Sequence, residues 1–467
     1  MRGTGLREHL PSVLVAGLSS AFGVALMLII GVLDLVIRND EFASSSSQTL
    51  PLMLGIVALV FTTIAVYVGG VVTANTFGTI IAGRTRTIAL LRLIGSSAAA
   101  QRRAVGREGL LIGVLGSLAG AVIGTGLVAL SVAILIAIGV IPSLSYAFFH
   151  PATLLPIIAV FLTTWAASWV GSRRVLVVTP MQALGSSVAQ GFEEVASRRG
   201  RNRLALVLLV VGAAFLALGI AVGMVNPAGV LIGLVGGILS FSGVVAGAHL
   251  VMPPALRLVG RLMGRTAAAR IASENAMRYP ERSARTTIGL VIGVTLVTMF
   301  GVAMESYQQM LYAAQENDPE LYGGMDTILL ITVIVFSVLL GFSAVIAAVG
   351  MVNNLSLSVL QRTRELGLLR ALGFTARQVR SMIVTESAQL TVAAVLVGLV
   401  LGIFYGWAGA QSLLGSISGS PGLIAPAVPI PLLLVLIVAS LGLTIAAAVS
   451  PARRATRVSP VVALAVE

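Results

Sequence analysis

The chain carries apolar runs that are far longer than a water-soluble fold can bury. Two of them cover residues 12–37 and 51–82, and 57% of the 467 residues are hydrophobic while only 10% are charged. A helix of roughly 20 apolar residues crosses the hydrocarbon core of a bilayer, so each run is long enough to span a membrane. The runs lack the alternating pattern of a membrane barrel, and lipid requires every backbone polar group to be paired internally. The sequence therefore predicts an all-α, polytopic membrane protein.

We predict ten transmembrane helices from these runs. They are placed at residues 12–37, 51–82, 107–140, 152–172, 203–224, 229–253, 286–310, 326–352, 381–410 and 427–449.

Arginines fall almost entirely in alternate connections between these spans. The chain has 30 basic residues and no lysine, and its arginines cluster at 2–7, 84–107, 173–203, 257–285, 362–380 and 453–457, with Arg38 alone on the other side. Basic residues favour cytoplasmic loops, so these loops and both termini are predicted to be cytoplasmic. We expect a multi-pass protein of the bacterial cytoplasmic membrane. The net charge of +13 sits beside spans rather than on a soluble face, which argues against a nucleic-acid partner.

Several kinds of site are absent from the sequence pattern. The chain has no cysteine, its three histidines are scattered, and no acidic cluster has the spacing of metal ligands. Because there is no lysine, the chain cannot carry the phosphate-binding loop of an ATPase. We expect no catalytic residue, metal or bound cofactor in this chain.

An internal repeat divides the chain. The segment R84-T-R-T-I-A-L-L-R-L-I-G95 aligns with R362-T-R-E-L-G-L-L-R-A-L-G373 at an offset of 278, identical at seven of twelve positions. The same offset relates Gly120 to Gly398 and Gly124 to Gly402. We therefore predict a four-helix unit at 1–185, a two-helix connecting segment at 186–256, and a second four-helix unit at 257–467.

The even number of helices in the connecting segment gives both units the same orientation in the membrane. Their symmetry axis then runs along the membrane normal, as in parallel repeats. Such a pseudo-dimer presents two equivalent cytoplasmic faces, which suits a partner that is itself a dimer.

The repeated motif, with the closing A452-R-R-A-T-R-V-S-P-V-V-A-L464, resembles the FtsX-like and macrolide-exporter superfamily of ABC transporter permeases. The resemblance implies a short coupling helix in each unit that docks on a separate cytoplasmic ABC ATPase, with two copies of the ATPase and with ATP and Mg²⁺ bound there. By this resemblance, the coupling residues are Arg84, Arg86, Ile88, Leu91, Arg92, Gly95, Arg362, Arg364, Glu365, Leu366, Leu369, Arg370 and Gly373.

A helix through the first motif would place Ile88 and Leu91 along one side, ending at Gly95, with Ser97 or Thr375 able to cap the following helix. The alternative interpretation is an interfacial helix on anionic lipid, whose arginines only set the topology. Retention of the leucine pair in both copies favours a protein contact, since topology requires only the arginines. Thr87 replaces the glutamate found at Glu365, so the two contacts need not be equally strong.

Four polar residues in or near the spans are candidates for substrate contact or gating: Asp34, Asn75, Glu305 and Asn353. Asn75 and its counterpart Asn353 are otherwise explained by hydrogen bonds between helices. Asp34 and Glu305 lie near the outer ends of their spans, where a carboxylate also reaches water.

The short loops at 38–50 and 311–325 leave no large external domain for an adaptor or hydrolase. We therefore expect export or membrane extraction of a hydrophobic or amphipathic substrate, such as a drug, an antimicrobial peptide or a lipid. The alternative is a mechanical or sensing module that signals to an external enzyme or a histidine kinase. A secondary carrier is disfavoured by the parallel repeat, and a membrane enzyme by the missing catalytic residues.

Overall fold

The computed structural model describes residues 10–38, 49–83, 85–139, 141–149, 151–173, 199–262, 280–317 and 371–457, with isolated positions between 274 and 368. These residues form helices joined by turns, with no strand among them. The helices are α1 (Leu10–Arg38), α2 (Thr49–Gly83), α3 (Thr85–Leu93), α4 (Ala98–Ala137), α5 (Leu154–Gly171), α6 (Arg199–Gly223), α7 (Gly229–Ala246), α8 (Ala248–Leu262), α9 (Pro280–Asn317), α10 (Ala376–Leu414) and α11 (Ile430–Arg457).

Within this described part of the chain, eight helices are long and apolar enough to cross a membrane: α1, α2, α4, α5, α6, α7, α9 and α10. Each corresponds to a predicted span. The predicted span at 427–449 corresponds to α11, whose apolar part, Ile430–Ala446, is shorter. Most of the predicted span at 326–352 lies outside the described residues, and so does Asn353, which follows it.

One predicted span continued too far. The run at 229–253 is broken at Gly247, where α7 ends and α8 begins, and α8 packs on α9 and α10 rather than mainly on α7. The residues Met252, Leu256 and Val259 form the buried side of α8. Their spacing of three and four residues gives an amphipathic helix rather than the end of a span.

Each half of the chain contains a tightly packed helix pair built around the repeated glycines. In the first half α4 packs along α1, where a Cβ at Gly120 would lie 2.8 Å from the Cβ of Ser20 and one at Gly124 would lie 2.6 Å from the Ala21 carbonyl. These approaches require glycine, because a side chain there would collide with the facing helix.

The second half repeats this contact between α10 and α9. A Cβ at Gly398 would lie 2.7 Å from the Cβ of Val294, and one at Gly402 would lie 2.8 Å from the Thr295 carbonyl. In both halves the repeated glycines therefore lie against the facing helix at distances that leave no room for a side chain.

The connecting hairpin of α6 and α7 packs against α10, and α7 also touches α2. Helix α9 is the most enclosed of the described spans, since 83% of the residues in its most apolar stretch are buried. Its Phe300 has ring centroids 5.2 Å from Phe61 of α2 and 6.2 Å from Phe22 of α1. The main apolar core therefore lies where the two halves and the hairpin meet.

Candidate functional site

The first repeated motif forms a short helix that ends in a tight turn. The amide of Ser96 donates to the Leu91 carbonyl at 2.9 Å, and the amide of Gly95 donates to the Arg92 carbonyl at 3.2 Å. Gly95 has φ +98°, the left-handed conformation that favours glycine after a helix. Ser97 then caps α4 by accepting from the Ala100 amide at 3.1 Å, which confirms the predicted cap.

The second motif ends in the same kind of turn. Gly373 has φ +97°, and the amide of Leu372 donates to the Leu368 carbonyl at 3.0 Å, as Ile94 donates to Leu90 in the first motif. Thr375 caps α10, and Gln378 completes a capping box by accepting from the Thr375 amide at 2.8 Å. A turn and a new helix thus follow each motif in matching geometry.

Apolar side chains project from both turns. Leu90 is 48% exposed and Ile94 is 81% exposed, while their counterparts Leu368 and Leu372 are 52% and 70% exposed. Matching exposed leucine and isoleucine side chains at the same repeat positions form what we call the paired turns: Leu90 and Ile94, with Leu368 and Leu372.

The predicted coupling residues are placed differently from one another. Ile88 is buried, at 7% exposure, in a small cluster with Ile81 and Ala89, and Leu91 is half-buried. Ile88 therefore faces the chain's own interior, and the exposed apolar surface of the first motif comes from Leu90, Leu93 and Ile94. The other predicted members, except Arg92, Gly95 and Gly373, lie outside the described residues or have side chains that the structure does not describe: Arg84, Arg86, Arg362, Arg364, Glu365, Leu366, Leu369 and Arg370.

A second feature is an apolar cleft of about 110 Å³ between the two halves and the hairpin. Helices α2, α7, α9 and α10 line most of it. Phe241 of α7 stands between two tyrosines, edge-on to Tyr67 of α2 at 6.3 Å and to Tyr405 of α10 at 6.2 Å. The tyrosine hydroxyls lie 2.7 Å from the Ser242 hydroxyl and 2.9 Å from the Ser240 hydroxyl, respectively.

A third feature is a cavity of about 490 Å³ at the arginine-rich ends of the helices. Its polar lining comes from Asn75, Arg173, Arg201 and His249, and the described lining contains no Asp or Glu. The buried His249 ring is held by Asn202, with Nε2 and Oδ1 2.9 Å apart. We call this space the basic cavity.

The structure separates the residues predicted for substrate contact or gating. Asn75 lines the basic cavity. Asp34 lies near the C-terminal end of α1, and Glu305 lies in the C-terminal part of α9, away from that cavity. Asp34 is half-buried and Glu305 is exposed.

Sequence reasoning missed Tyr67, Phe241 and Tyr405. Single aromatic residues in apolar runs carry no periodic signal, and their convergence depends on contacts between distant segments. The arginines of the basic cavity were noticed only as topology signals.

These features define the class of protein: a multi-pass, all-helical membrane protein with similar packing in its two halves. The family model described as FtsX-like permease C-terminal matches residues 59–176 and 337–460, which together make up just over half of the chain. The chain belongs to the FtsX-like permease family, and the two matched regions start 278 residues apart, the offset of the repeat.

Curated relatives are ABC transporter permeases. The chain is 33% identical over 121 residues to the permease YknZ of Bacillus subtilis, covering 26% of this chain and 28% of that protein. It is 26% identical over 129 residues to the permease YtrF of the same organism, covering 26% and 30%. An ABC transporter permease of Methanocaldococcus jannaschii is 38% identical over 80 residues, covering 17% and 18%. The alignments thus span less than a third of these relatives' own length.

Proposed function

We propose that the chain is the permease subunit of an ABC transporter that binds two copies of a separate cytoplasmic ATPase. In this proposal, ten spans form two parallel four-helix units joined by the α6–α7 hairpin, in the bacterial cytoplasmic membrane with both termini inside. ATP and Mg²⁺ belong to the ATPase. The transported substrate is hydrophobic or amphipathic and enters from the membrane.

The observation that carries this proposal is the matching geometry of the paired turns. Exposed apolar side chains are common where lipid covers them, but these four recur at equivalent positions beside left-handed glycines and capped helices. A lipid-facing helix does not require the same turn twice. A dimeric ATPase with two equivalent grooves would account for retaining it in both units.

The first test places charge on the paired turns. The double variant Ile94→Glu with Leu372→Glu should lose assembly with the ATPase, because burying an apolar side chain is worth about 1.5–3 kcal/mol and a carboxylate reverses that gain. The measurement is co-purification of the tagged chain with ABC ATPase subunits co-expressed from the same genome. ATP turnover in lipid nanodiscs is recorded alongside.

Leu258→Glu is the matched control, since Leu258 on α8 is also an exposed apolar residue, at 56%, and lies outside the paired turns. It should leave assembly intact. Normal assembly and turnover in the double variant would refute the coupling role and leave an interfacial helix as the explanation of the motif.

The second test concerns the substrate class. Purified chain and ATPase are reconstituted in vesicles that carry fluorescent amphiphiles, and ATP-dependent removal of the label from the bilayer is measured. Stimulated ATPase activity with no amphiphile movement would instead favour the mechanical signalling alternative.

A further inference from the structure

The apolar cleft and the basic cavity lie end to end along the same three helices. The lining of the cleft ends at Val68 of α2 and Phe241 of α7, and that of the cavity begins at Val71 and Val245. On α9 the corresponding step is from Ile292 to Ile288. These steps of three or four residues equal one helical turn, so the two spaces are consecutive along one seam.

The two spaces differ in chemistry. The cleft is lined mainly by aliphatic and aromatic side chains, with the hydroxyls of Thr295 and Ser412 as its other polar groups. Its tyrosine hydroxyls are already engaged by serines. The basic cavity holds two arginine side chains and the His249 ring, with no carboxylate in its described lining. A molecule that fits both has an apolar tail and an anionic head.

From these observations we infer that the seam between α2, α7 and α9 binds a phospholipid with an anionic headgroup. Its phosphate lies in the basic cavity near Arg173 and Arg201, and one acyl chain lies in the cleft beside Tyr67 and Phe241. Basic pockets between spans at the arginine-rich side of a membrane suit lipid phosphates. The arginine fork pairs with phosphate through two parallel hydrogen bonds.

The length of the seam agrees with this ligand. Asn75 in the basic cavity and Ile64 in the middle of the cleft both lie on α2 and are 11 residues apart. At 1.5 Å per residue the separation is about 16 Å, the scale of an acyl chain that occupies about half of a 30 Å hydrocarbon core. The site thus reaches from the headgroup level to mid-membrane.

The headgroup test uses the purified full-length chain in detergent, without ATPase, so that its result does not depend on coupling. Native mass spectrometry measures binding of phosphatidylglycerol and of phosphatidylcholine with the same acyl chains. Both lipids carry a phosphate, but the choline cation of phosphatidylcholine would lie beside the two arginines. The unaltered chain should therefore prefer phosphatidylglycerol by about tenfold or more, because like charges repel at short range.

Arg173→Gln with Arg201→Gln should abolish that preference. Arg203→Gln is the matched control, since Arg203 is exposed on α6 and does not line the cavity. If the double variant does not fold, Arg201→Gln alone is measured and should reduce the preference. Equal binding of both lipids to the unaltered chain, or a preference retained in the arginine variants, would overturn the inference.

The acyl-chain test fills the cleft. Gly237 lines it, and a Cβ there would meet nothing within 4 Å, so the side chain of Gly237→Leu starts in open space and extends into the cleft. It should weaken binding of both lipids by about tenfold, whereas Gly126→Leu, at an open position on α4, should not.

Glycerol 3-phosphate serves as the headgroup-only probe and should compete poorly. Full competition by glycerol 3-phosphate, with phosphatidylglycerol binding unchanged in Gly237→Leu, would identify a site for a small phosphate anion and refute the lipid assignment.

Discussion

Single glycines determine how closely the helices of each half pack. Gly124 faces the Ala21 carbonyl, and a Cβ there would approach it to 2.6 Å, while Gly126 on the same helix has open space within 4 Å. These two positions differ in packing but share the same helix and almost the same depth. Comparing the same substitution at both positions therefore separates the effect of helix propensity from the effect of close helix packing.

We predict that Gly124→Val destabilises the protein by about 1–3 kcal/mol, because an overpacked contact forces the two helices apart. Thermal unfolding in detergent should show a lower midpoint for this variant. Gly126→Val should remain close to the unaltered chain. Equal losses in both variants would show that β-branching, not the α1–α4 contact, causes the effect.

The two tyrosines of the cleft make a second residue-scale contribution. Tyr405→Phe removes the hydroxyl that lies 2.9 Å from the Ser240 hydroxyl but keeps the ring against Phe241. We predict a loss of about 0.5–1 kcal/mol, since Ser240 keeps its bond to the Gly237 carbonyl. Tyr312→Phe, at a residue that is 57% exposed, is the control for thermal unfolding and should have no effect.

At the scale of elements, the first motif is a short helix, a left-handed glycine and a capped long helix in direct succession. The second motif shares the left-handed glycine and the capped long helix. In the proposed coupling role, a force applied at the paired turns would pass into α4 or α10. The glycine is the position that tolerates substitution least, because only glycine adopts φ near +97° without strain.

We predict that Gly373→Ala weakens ATPase assembly by up to about tenfold, since the left-handed conformation costs roughly 1–2 kcal/mol for other residues. The span packing should be unchanged, because a Cβ at Gly373 meets nothing within 4 Å. Co-purification with the ATPase and thermal unfolding are measured together. A large loss of thermal stability without any loss of assembly would contradict the prediction.

Most of the helices could be predicted from the sequence, because hydropathy and helix-capping residues determine helix boundaries locally. The predicted span at 51–82 differs from α2 by one or two residues at each end, and Ser97 and Thr375 were predicted as caps. The orientation of α3 did not follow. A nine-residue helix with apolar residues on several sides gives no local reason why Ile88, rather than Leu90, should face inward.

At the scale of the whole molecule, the first half and the hairpin meet the second half around α9 and α10, and this meeting creates the cleft and the basic cavity. Tyr67, Phe241 and Tyr405 come from three segments that are far apart in the sequence. Periodicity describes one helix at a time, so it does not show which helices become neighbours. The repeat did indicate the matching of the two halves, since related sequences bury related faces.

The orientation of the molecule in the membrane gives a prediction that the chain is well suited to test, because it contains no cysteine. Single cysteines can be introduced into the natural sequence without a prior background substitution. Ser145→Cys lies in the exposed segment between α4 and α5, and Val225→Cys lies in the exposed turn between α6 and α7. If the arginine-rich ends face the cytoplasm, both positions face outward.

In intact cells, a membrane-impermeant maleimide should therefore label Ser145→Cys and Val225→Cys. Ala99→Cys, exposed at the start of α4, and Glu467→Cys should react only after permeabilisation. Full labelling of all four after permeabilisation controls for local reactivity. Labelling of Ala99→Cys in intact cells would invert the proposed orientation and place the paired turns where no cytoplasmic ATPase can reach them. Labelling of Glu467→Cys without labelling of Ala99→Cys would instead indicate an odd number of spans between these two residues. That result would refute the ten-span arrangement and would leave the turn at Ile94 on the cytoplasmic side.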